Sequence, residues 1–163
     1  MVSWKDFEAQ APAIAEVFSR RHKATGHLCL LATLRADGSP RISPMEPQIV
    51  DGQLILVGMP NTRKFRDLGR DPRFELHTAT VDPFVGEGDA KLWGEALNVQ
   101  DEDLHRRFAD HLFAESGFDL RKERFDPFYV ADLRGASAIG FAKRKLTITT
   151  WKPGEGERTE ALD

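Results

Sequence analysis

The chain has 163 residues, 40% of them apolar and 30% charged, with a net charge of −3 from 23 basic and 26 acidic side chains. That length suits one domain able to bury roughly 70% of its unfolded surface, and eleven Phe and three Trp exclude disorder of the whole chain. The charge balance gives no electrostatic reason for a nucleic-acid or membrane-surface partner, and no run approaches the roughly 18 apolar residues that would span a bilayer.

Ser3 is placed to cap a first helix, with Asp6 and Glu8 in its opening turn. Phe7, Ala11, Ile14 and Phe18 then recur at helical spacing. Pro12 interrupts them, which predicts a break near Ala11 or a second helix starting there and ending near His22. Residues 27–34 are almost continuously apolar, the pattern of a strand buried on both faces. A turn at Ala36-Asp37-Gly38-Ser39 leads into a second strand over residues 41–50, whose Pro44 and Pro47 place it at an edge or bulge. Asp51-Gly52 signals a tight hairpin back into a third strand, residues 53–58.

Asn61 or Thr62 caps the next helix, with Phe65 and Leu68 inward and Pro72 closing it. A fourth strand over 74–80, a loop over 82–88 and a fifth strand over 90–99 follow. Asp101 caps a helix carrying Leu104, Phe108 and Leu112 at four-residue spacing. Segments 128–133, 138–141 and 146–151 again read as strands, and residues 154–163 as a loose polar tail after a single domain over 1–153. Short antiparallel strands interrupted by a few helices favour a mainly β fold, a small barrel with helices, over a doubly wound sheet.

Between Arg63 and Arg73 lie five basic residues (Arg63, Lys64, Arg66, Arg70, Arg73) against Asp67 and Asp71. Thr62, Arg63 and Lys64 set a hydroxyl and two cations at a helix N-terminus, where backbone N–H groups and the helix dipole favour a phosphate. The competing reading is a solvated face with local pairs such as Arg63–Asp67. Arg41 and Ser43, two apart on a strand, share a face and add a second cation and hydroxyl. Trp93 and His77 lie on later strands and could flank a flat ring, although a tryptophan more often packs in a core or interface.

The five histidines show no zinc spacing, and there is no G-x-S-x-G and no phosphate-binding lysine loop. No carboxylate pair stands out for acid–base work, so a reactive centre would come from a cofactor. The single Cys29 cannot form an internal disulfide and the N-terminal MVSWKDFEAQ lacks a secretory pattern. The expectation is a cytoplasmic protein.

The segment LATLRADGSPRISPMEPQIVDGQLILVGMPNTRKFRDLGRDPRFEL resembles the pyridoxamine 5'-phosphate oxidase-like family of flavin-binding split β-barrels. The strand–turn–strand LATLRADGSPRISP, the hairpin VDGQLIL and the T-x-K-x-x-D-L-x-x-D-P-R helix carry the likeness, which continues through KLWGEALNV and covers about residues 26–115. The resemblance implies a six-stranded antiparallel split barrel, a homodimer, and FMN or a deazaflavin at the dimer interface. It implies an FMN-dependent oxidoreductase of unknown small-molecule substrate; the alternatives are a deazaflavin-dependent reductase and a flavin- or haem-binding protein without turnover. The cofactor-binding positions it implies are Arg41, Ser43, Thr62, Arg63 and Lys64 for the phosphate, backbone at Pro44, Val57 and Met59 along the ring, and Trp93 from the partner subunit. The arginine- and tryptophan-rich C-terminal motif of the true pyridoxamine phosphate oxidases is not recognisable, and Lys143-Arg144-Lys145 is no substitute for it.

Overall fold

Two helices lead into the sheet. In the computed structural model, which describes residues 1–80, 86–142 and 145–162, α1 (Trp4–Gln10) is closed at its start by a reciprocal cap: Ser3 Oγ accepts from the Asp6 N–H, and the Asp6 carboxylate accepts from the Ser3 N–H, both at 3.1 Å. Pro12, which has no N–H to lose, opens α2 (Pro12–Ala24). Phe7, Ala11, Ile14 and Phe18 are all fully buried, so the helical stripe is one face of the core, shared by both helices.

The described residues form nine strands: β1 (Cys29–Leu34), β2 (Pro40–Met45), β3 (Gln48–Val50), β4 (Gln53–Leu56), β5 (Arg73–Thr78), β6 (Asp89–Asn98), β7 (Tyr129–Ala142), β8 (Lys145–Lys152) and β9 (Gly156–Ala161). They pair antiparallel in the order β2-β1-β5-β6-β7-β4-β3, and β8 and β9 extend from the far half of β7. The two ends of this path, β2 and β3, are consecutive in the chain and separated only by Glu46-Pro47. A sheet whose edges are tied by two residues must curl until those edges meet, and an open barrel results. Its core joins the helical stripe to inward residues Leu31, Leu54, Leu56, Leu76, Leu92 and Trp151. A second cluster, built on Ile55, Phe108, Phe125 and Phe128, seats α4 (Glu102–Ser116) on the other face of β4.

Several expectations are corrected. The 41–50 segment is two strands, because Pro47 cannot donate to a ladder and the chain turns there from one edge of the sheet to the other. The described residues hold nine strands against the six that the resemblance implies; β3 and β9 are among the additions, while β8 matches the expected 146–151 segment. Residues 156–161, expected to be loose, pair along β8. β1 is not buried on both faces: Cys29, Leu31 and Thr33 point inward, while Leu30 is 41% exposed beside Ile42 at 70%. The segments 128–133 and 138–141 are one strand, β7, kept continuous by a bulge opposite Trp93 and Gly94. A Cβ at Gly94 would overlap the Asp132 carbonyl, and Gly135 lies directly beneath the Trp93 indole. Most of the expected 82–88 loop, and Lys143 and Arg144, fall outside the described residues.

Candidate functional site at the seam between β2 and α3

The helix α3 (Arg63–Arg70) docks across β1 and β2 through polar bonds rather than through its two inward apolar residues alone. The chain leaves β4 and reaches α3 through Asn61, whose positive φ of 63° is a backbone conformation that asparagine tolerates better than most residues. Thr62 follows in an extended conformation and occupies the N-cap position, but its hydroxyl makes no capping bond. Thr62 Oγ1 is buried and has no hydrogen-bond partner among the described residues. A buried hydroxyl left unpaired costs about 1–3 kcal/mol, which singles it out at a helix N-terminus.

Arg41 and Ser43 lie on the inward side of β2, opposite Thr33 and Leu31 of β1. Arg41 Nε donates to Asp67 Oδ2 at 2.6 Å, Thr33 Oγ1 donates to the same oxygen at 3.1 Å, and Arg70 Nη2 donates to Asp67 Oδ1 at 3.2 Å. Burial opposes the charge on Asp67, but the hydrogen bonds from Arg41, Arg70 and Thr33 outweigh it and hold the carboxyl below its ordinary pKa. One turn earlier, Lys64 Nζ donates to the Pro44 carbonyl at 2.8 Å. Burial lowers the Lys64 pKa, with the Glu46 carboxylate acting in the opposite sense.

The structure thus brings Arg41, Ser43, Thr62 and Lys64 to one seam, with Arg63 exposed at its edge and free of ion pairs among the described residues. Of the remaining expected residues, Pro44 meets the seam through its carbonyl, Val57 is half-buried against the second core cluster, and Met59 is 78% exposed. Trp93 is not there. It lies on the outer face of β6, three strands from β2 and so about 14 Å away at the usual strand spacing. Asp67 and Thr33 were not among the expected site residues, and the competing solvated-face reading set Asp67 beside Arg63, four residues away. The partner Asp67 bonds in the structure, Arg41, comes from strand β2, 26 residues earlier.

The described residues hold no cluster of three or more metal-ligating side chains, and no helix among them is long and apolar enough to cross a membrane. Cys29 is buried, and burial pushes its thiol up to about 12.

Comparison with known proteins places the chain in a family. The family model described as pyridoxamine 5'-phosphate oxidase matches residues 16–134, from within α2 to within β7. The chain belongs to the pyridoxamine 5'-phosphate oxidase family. Solved structures of that fold agree. A pyridoxamine 5'-phosphate oxidase-related, FMN-binding protein from Nostoc punctiforme superposes with a TM-score of 0.64 at 13% identity, over 93% of this chain and 95% of that one. PhzG from Burkholderia lata, solved with tetrahydrophenazine-1-carboxylic acid, gives 0.63 at 15% identity, over 89% and 90%. A haem-binding protein from Mycobacterium smegmatis gives 0.64 at 23% identity, over 86% of this chain and 58% of that protein. At these identities the likeness is one of fold. No curated protein matches the sequence.

Proposed function

We propose that this protein binds FMN by its phosphate at the seam between β2 and α3 and acts as an FMN-dependent oxidoreductase on a small-molecule substrate. The observation that carries the reading is Thr62 Oγ1, a buried hydroxyl without a partner at the N-terminus of α3. An acceptor-rich phosphate satisfies it, and Arg41, Lys64 and Arg63 supply cations around it. Ser43 shares the face of Arg41 and adds a hydroxyl. FMN, when bound, supplies transfer of a hydride or of single electrons. This chain's residues bind and orient it: cations and hydroxyls fix the phosphate, and backbone at Pro44, Val57 and Met59 lines the ring and keeps water from one side.

Family membership and the fold shared with an FMN-binding protein support the choice of cofactor. A second copy of the chain completes the site in this reading. The outer face of β1 and β2 presents Leu30 and Ile42 to solvent, with Met59 exposed on the connection to α3, and these are apolar groups that a homodimer would cover. Trp93 would then reach the ring from the partner, since it lies away from the seam within one chain.

The test is a titration of the protein with FMN, riboflavin, a deazaflavin and haem, followed by cofactor absorbance and tryptophan quenching. Micromolar or tighter FMN binding near one per chain is expected. Thr62→Val should weaken FMN about tenfold or more, the equivalent of one bond to a charged group, leave riboflavin affinity unchanged and hold or raise the urea midpoint of the cofactor-free protein, because it removes an unpaired buried hydroxyl. Tight binding of deazaflavin or haem in place of FMN would replace the cofactor assignment. Equal FMN affinity in Thr62→Val would remove the phosphate from this seam.

A further inference from the structure

Asp67 is an odd residue to find at the edge of an anion site, because a carboxylate there repels the ligand. We infer that Asp67 is a positioning residue: it grips the Arg41 guanidinium by its Nε edge and presents the two Nη groups for the phosphate. The inference rests on the flavin reading given above and adds a residue that reading did not contain.

The geometry is specific. Asp67 is nearly sealed from solvent, its side chain 6% exposed against 18% for Arg41. A guanidinium has five N–H groups in a planar fork, and a free carboxylate usually takes two of them side by side. Here it takes one. Nε donates to Oδ2, and the Nη groups of Arg41 have no hydrogen-bond partner among the described residues and are not sealed away. The second carboxylate oxygen, Oδ1, is occupied by Arg70 Nη2. Thr33 shares Oδ2, so the carboxylate is held from β1, β2 and α3 together and cannot rotate to fork Arg41. Arg70 is itself fixed by a bond to the Leu34 carbonyl.

Two consequences follow from this sharing. Two guanidiniums divide one negative charge, so the triad keeps a net positive charge toward the phosphate despite the buried acid. Arg41 also arrives with its rotamer already chosen, so ordering a long side chain on binding is not charged against affinity. Positioning and repulsion therefore predict opposite signs when Asp67 is neutralised: loss of positioning weakens FMN, and loss of repulsion tightens it.

The experiment measures FMN and riboflavin dissociation constants for the wild-type chain, Asp67→Asn, Arg41→Ala and the double variant. Asp67→Asn keeps the side-chain volume and should weaken FMN about tenfold, leave riboflavin unchanged, and add little on top of Arg41→Ala. Should Asp67→Asn not fold, Arg70→Met, at a half-exposed site, releases Oδ1 to fork Arg41. It should weaken FMN severalfold in the wild-type background and less in the Arg41→Ala background. A simple loss of positive charge would act equally in both. Tighter or unchanged FMN binding in Asp67→Asn, an equal loss for riboflavin, or full additivity with Arg41→Ala would overturn the positioning role while leaving the flavin site standing. A wild-type chain that binds no FMN would overturn both.

Discussion

Replacing His22 by Gln should remove about 2.5 kcal/mol of acid sensitivity between pH 7.5 and 4.5. His22 is buried on α2 between the rings of Phe18 and His27, at centroid distances of 5.5 and 4.6 Å. Its Nε2–H donates to the Pro47 carbonyl at 2.8 Å, which pins the link where the chain crosses from β2 to β3. Burial pushes its pKa down from 6.5 to about 4; the Pro47 bond opposes that shift and His27 adds to it. The folded state therefore keeps the ring neutral while the unfolded chain protonates it below pH 6.5. Between 6.5 and 4 the unfolded chain binds more protons, so stability is complete above 6.5 and falls as pH drops through that window. At about 1.36 kcal/mol per pH unit the loss approaches roughly 3 kcal/mol at pH 4. The Gln amide keeps a donor for Pro47 and does not titrate. Urea denaturation of both proteins at the two pH values isolates the histidine, because the carboxylates are common to both. If wild-type and His22→Gln lose the same stability on acidification, His22 is not held neutral and the argument fails.

Three further outcomes can be checked. Cys29, its thiol held at about 12 by burial, should not react with an aromatic disulfide reagent at pH 8 until urea unfolds the chain; rapid reaction of the folded protein would place the thiol at the surface. Gly94→Ala should cost about 1–3 kcal/mol or more, since the added Cβ meets the Asp132 carbonyl at the β6–β7 bulge, and an unchanged thermal midpoint would deny that contact. Phe7→Ala empties a fully buried site between Trp4, at 5.2 Å, and Trp151, at 5.0 Å. Its expected cost is about 3–5 kcal/mol, read as a shift in the urea midpoint.

Much of the architecture was legible because it rests on short-range signals. Ser3 and Asp6 close a cap three residues long, Pro12 starts a helix because it lacks an N–H, and Asp51-Gly52 turns a hairpin with Asp51 at a φ of 50°. The helix α3 and its Thr62-Arg63-Lys64 start were legible for the same reason. What misled the reading was chain order standing in for space. Residues 27–34 look buried on both faces because apolar composition does not say whether another layer covers the outer side, and at Leu30, 41% exposed, none of the described residues does.

By itself the sequence determined the starts of α1, α3 and α4 and the Asp51-Gly52 hairpin, and named residues that could meet a phosphate, because caps, turns and side-chain periodicity act within about four residues. Only the tertiary structure decided that Asp67 belongs to Arg41 and not to Arg63. The β1–β2 register places Arg41 beside Thr33, the docking of α3 lowers Asp67 onto that pair, and burial there makes the helix-to-strand bond stronger than a solvent-screened pair along the helix.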